Sequence, residues 1–99
     1  MPNIEHIAEQ LENIQYCIDC FSRDAEKIAD YPYAGLNQNI SNLSEMYKQL
    51  DKFLIVLKQK EDPANPCVGL YNFINAQKMR VSGLCFYLNN VVKDRIQRN

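Results

Sequence analysis

The sequence has no tryptophan, one histidine, three glycines and four prolines in 99 residues. A single imidazole is a poor start for acid–base chemistry. His6 has no second histidine, and no plausible base stands beside a cysteine or serine, so a nucleophile, its base and an orienting group cannot be assembled. Glycines this few, none of them gathered in a loop, leave no cradle for phosphates. Charge of one sign is also missing: 11 basic residues face 12 acidic ones, a net charge of −1. That balance argues against a nucleic-acid binder that works by neutralising phosphates. Lys78, Arg80, Lys93, Arg95 and Arg98 make the C-terminal third the most basic part, yet they do not share one helical face and Asp94 interrupts them.

Long apolar runs are absent too. The longest, Phe53–Leu57 and Leu84–Leu88, are far too short to cross a membrane. Met1-Pro2-Asn3-Ile4-Glu5 has neither the basic nor the apolar region of a signal peptide. The expected setting is therefore the reducing cytoplasm, where the four cysteines stay free thiols.

What is present is heptad order. A hydrophobic share of 46% and a charged share of 23% are ordinary for a globular chain, and this length predicts one domain covering residues 1–99. Ile4, Ile7, Leu11, Ile14, Ile18, Phe21, Ala25 and Ile28 alternate spacings of three and four, the seam of a coiled-coil-like helix. Asn3 is placed to cap its start, and Pro32 disfavours a helical Tyr31 at its end. Ser22-Arg23-Asp24 offers a restart, but the seam runs through it in phase. Leu36, Ile40, Leu43, Tyr47, Leu50, Leu54 and Leu57 mark a second helix, widened by Met46 and Phe53. Asn37, Asn39 and Ser41 leave its start open by several positions. Asn65 and Pro66 form a strong N-cap signal for the third. The expected helices cover about residues 3–30, 36–61 and 66–96.

Three similar helices on short turns predict an all-α fold, an elongated antiparallel up-down-up three-helix bundle with heptad-like packing. The same pattern also fits an extended hairpin that completes its core only as a dimer. Tyr31 and Tyr33, in the first turn, are expected to plug the end of the bundle or to form a contact site.

The third helix has two apolar faces. Ile74, Val81 and Leu88 recur every seven residues, flanked by Leu70, Leu84 and Val91 on one side and Tyr71, Cys85 and Val92 on the other: a core face. Gln77 and Lys78 interrupt it, Lys78 being able to lay its stem along the core. Roughly opposite, Gly69, Ala76 and Gly83 form a line of small residues bordered by Phe73 and Tyr87, and by Met79 and Phe86. Each interior glycine costs about 1 kcal/mol against alanine. Such a line is a groove into which another backbone can pack. Three readings compete for it: scattered surface residues, cover by the same chain, and a partner chain, identical or foreign.

Other constellations are weaker. Cys17 and Cys20 have the spacing of a metal or redox pair but lie in mid-helix, without a knuckle. With Cys85 at a similar height they suggest a thiol or metal protein as the alternative function. Cys67 is too far along the chain to join them. Asp24/Glu26 and Glu61/Asp62 sit at exposed ends where little would shift their pKa values.

The leading expectation is a non-enzymatic protein-binding module with no cofactor or metal. It acts through Gly69, Phe73, Ala76, Met79, Arg80, Gly83, Phe86 and Tyr87, with Tyr31 and Tyr33. Bundles of this kind serve as inhibitors (phage anti-defence and bacteriocin immunity proteins among them), chaperones and adaptors. A homodimer through the same groove is compatible with it.

Overall fold

The computed structural model describes residues 4–60, 62–64 and 68–98, with the side chains of Ile4 and Glu5 left aside. Three helices account for nearly all of them: α1 (Ile4–Ala29), α2 (Tyr33–Lys60) and α3 (Val68–Arg98). No strand longer than an isolated bridge occurs among the described residues. The predicted caps Asn3, Asn65 and Pro66, and the thiol Cys67, lie outside the described residues.

The bundle is up-down-up. Arg80 reaches Asp19 and Arg95 reaches Ala29, so α1 and α3 rise together, while α2 runs back between them in the chain. The molecule measures 57 × 21 × 20 Å. Its radius of gyration of 15.9 Å exceeds the about 13 Å of a compact chain of this size. Elongation follows from the sequence: long, unbroken heptads stack their contacts end to end instead of folding back.

Along the axis runs one ladder of aliphatic side chains. Ile7, Leu11, Ile18 and Ile28 come from α1, Leu36, Leu43, Leu50, Phe53 and Leu57 from α2, and Ile74, Val81 and Leu88 from α3. The α2 leucines recur strictly every seven residues and are wholly buried. Burying one such side chain contributes about 1.5–3 kcal/mol, so this ladder is the principal source of stability. All six flanking residues of the α3 core face, Leu70, Leu84, Val91, Tyr71, Cys85 and Val92, pack half-buried against it.

Some expectations shift. α2 starts at Tyr33 rather than near residue 36, because the Pro32 carbonyl accepts the first helical bond, from Leu36 N–H at 2.9 Å. Proline suits that position, having a fixed φ and needing no backbone donor. Tyr33, Ala34 and Gly35 are thus the first turn of α2, and the connection shrinks to three residues, Asp30 to Pro32. Asn39 is not a cap; its amide donates to the Gly35 carbonyl one turn earlier, at 2.8 Å. Tyr47, expected on the core stripe, is exposed at the edge of the bundle. Val56, off the α2 seam, packs against the core, while Ile55 beside it stays exposed. Ile14 and Phe21 are half-buried, so the seam of α1 is shallower at those steps.

α3 is the helix on which the others lean. It packs most on α2, next on α1, and the α1–α2 contact is the thinnest. No described helix is long and apolar enough to cross a membrane.

Candidate protein-binding face

α3 meets its neighbours through Ile74, Val81 and Leu88, which fixes the opposite side as the outer one. Gly69, Ala76 and Gly83 all lie exposed along that side. Among the described residues, and apart from the helix's own backbone, a Cβ built on Gly69 or Gly83 would meet no atom within 4 Å, and neither residue has a positive φ. Nothing within the subunit therefore requires glycine there. Met79 is 77% exposed and Phe86 70%, with Tyr87 partly exposed beside them. Together with Tyr47 of α2, Met79, Gly83 and Phe86 wall an open groove whose other walls are Asn75, Lys78 and Ser82.

Phe73 departs from the expected border. It is half-buried and packs against the core instead of standing free. Arg80 is drawn towards α1: it donates to Asp19 Oδ1 at 2.6 Å and to Gln77 Oε1 at 3.0 Å. That second bond engages Gln77, the one buried polar side chain among the described residues. On the opposite edge the Lys78 ammonium lies 2.5 Å from Asp51 and 5.0 Å from the centre of the Tyr47 ring. The hydrogen bond to Asp51 raises the Lys78 pKa above the ordinary lysine value, although partial burial opposes the rise.

These two ion pairs define the electrostatics of the face. From Val68 to Val92, α3 carries no acid, and its only cations are Lys78 and Arg80. Both turn sideways, one towards α2 and one towards α1. Between two neutralised pairs lies a strip of Ala, Gly, Ser, Asn, Met and aromatic residues. Depletion of charge at the centre and polar groups at the rim is the composition of protein–protein interfaces. The missing acids were readable in the sequence, but which way the two cations turn was not.

Neither Tyr31 nor Tyr33 is among the residues that wall this groove. They are 41% and 52% exposed, so they do not plug the bundle. Tyr31 lies instead in the groove left by the thin α1–α2 contact, with Tyr16, Cys17, Cys20, Phe21, Asp24, Ile28 and Asn39. Sequence reasoning missed Tyr16, which is off the α1 seam and 70% exposed. Its only signal was an aromatic on the polar side of an otherwise strongly two-faced helix.

The thiols divide between environments. Cys17 and Cys20 line the α1–α2 groove, whereas Cys85 packs against the core and burial raises its pKa. Among the described residues no three His, Cys, Asp or Glu side chains are placed to hold a metal ion. His6 is exposed, with Gln10 Nε2 2.8 Å from its Nε2. The half-buried Asp24 is held below the usual carboxylate range by hydrogen bonding from Arg23. Each of these perturbations has a local structural cause, and they do not converge on one cleft. Comparison with protein families, curated proteins and solved structures finds no match.

Proposed function

We propose that this chain is a protein-binding module of inhibitor, adaptor or chaperone type, which acts by surface contact through the outer face of α3. The observation that carries the reading is the open space over Gly83. A mid-helix glycine costs about 1 kcal/mol against alanine, and no contact within the subunit offsets it. Close approach of another backbone would. Exposed Met79 and Phe86 on either side of that glycine supply the kind of apolar and aromatic anchors that dominate binding energies. The uncharged strip disfavours a nucleic-acid partner, which needs cations aimed outward.

Affinity capture from the native host, with the wild-type chain and Gly83→Leu side by side, tests the reading. A Cβ added at Gly83 meets nothing else in the described subunit and the groove there is open, so the variant should keep its helicity and lose the captured protein. Identical capture by both chains would refute the role of this face.

A further inference from the structure

Resting on that reading, we infer that the outer face of α3 binds a second copy of this chain, as an antiparallel pair whose two-fold axis passes at Gly83. Three observations support this occupant. The first is charge. A two-fold axis sets a patch against itself, so any net charge on the patch repels its own image. Here the only cations between Val68 and Val92 are neutralised by Asp19 and Asp51 in the same subunit, and no acid occurs in that stretch.

The second is area. The chain exposes 6720 Å², whereas a compact monomer of 11.5 kDa exposes about 5,800 Å². The surplus of about 900 Å² matches the about 800 Å² that each partner contributes to a standard interface. A rod 57 Å long and about 20 Å wide exposes more surface than a compact body, and a second rod laid along it covers part of that surface.

The third is shape. The face is built to match itself: exposed Met79 and Phe86 stand on either side of Gly83, and the groove they wall with Tyr47 is open. With the axis at Gly83, residues beyond it on one copy face residues before it on the other. Phe86 then comes over the groove at Met79, and the two helices touch where neither has a side chain. Self-complementarity of this kind is what an isologous contact requires.

Sedimentation of the purified full-length chain, up to millimolar concentration, tests the inference. Wild type should run at twice 11.5 kDa. Phe86→Asp should keep its helicity by circular dichroism and raise the dimer dissociation constant at least about 100-fold, since a two-fold axis buries the unpaired carboxylate twice. A wild-type chain that stays monomeric throughout overturns the second-copy inference, as does a dimer untouched by Phe86→Asp. The binding reading fails by a different result, unchanged capture of host proteins by Gly83→Leu.

Discussion

Gly83→Ala should act in opposite directions on the fold and on the assembly. In the isolated subunit the new methyl enters open space, with no atom within 4 Å and an ordinary helical φ. The position is deep in α3, fifteen residues from either described end, so the full interior helix preference of alanine over glycine applies, about 1 kcal/mol. Part of this gain acts through the unfolded chain, which loses conformational freedom. For a chain of this length, 1 kcal/mol corresponds to a rise of about 4–8 °C in midpoint. Thermal unfolding followed by circular dichroism at high dilution, where subunits are separate, should show that rise. In the assembly the same methyl stands between two backbones and must push them apart, so the dissociation constant should increase. Gly69→Ala is the control: as the second residue of described α3 it is in the first turn, where both effects should be smaller. A lower midpoint for dilute Gly83→Ala would refute the reasoning, because it would place a subunit atom where the structure has none.

The wholly buried Ile18 and the half-buried Ile14 separate core from margin. Ile18→Ala should cost about 2–5 kcal/mol in urea denaturation, and Ile14→Ala clearly less. The Lys78 pair gives stability a signature at alkaline pH. Its pKa is raised above 10.5 by Asp51, so its stabilisation is complete below the ordinary lysine pKa and lost as pH rises through the raised value. Lys78→Met should therefore flatten the fall in stability above pH 10.5 seen in pH-dependent urea midpoints. Alkylation kinetics at neutral pH should rank exposed Cys17 as faster than Cys85, whose thiol burial keeps protonated.

Heptad spacing made the architecture legible because each buried side chain of the ladder serves both local helix pattern and global packing. Leu36, Leu43, Leu50 and Leu57, with Ile74, Val81 and Leu88, were all placed by periodicity, and all are buried. The outer line of Gly69, Ala76 and Gly83 was equally plain, and it is exposed. What periodicity could not supply was the lateral reach of long side chains. Phe73 leans into the core and Arg80 bridges to Asp19, a contact spanning most of the chain. Tyr47 leaves the stripe to stand beside Lys78, where a phenol ring and an ammonium attract each other. Helix starts were also inexact, since Pro32 begins α2 through its carbonyl and asparagine propensities pointed further along. The α1–α2 groove with Tyr16 depends on how thinly two helices meet, which no single helix encodes.

Hydroxyl-radical footprinting across a concentration series tests the central claim, that another protein surface covers the outer face of α3. Met79 and Phe86 are the sensors, and Tyr16, equally exposed but in the α1–α2 groove, is the internal reference. Labelling of Met79 and Phe86 should fall as the chain associates while that of Tyr16 holds constant. Unchanged labelling of all three, both in the concentrated chain and in host extract, would contradict the claim.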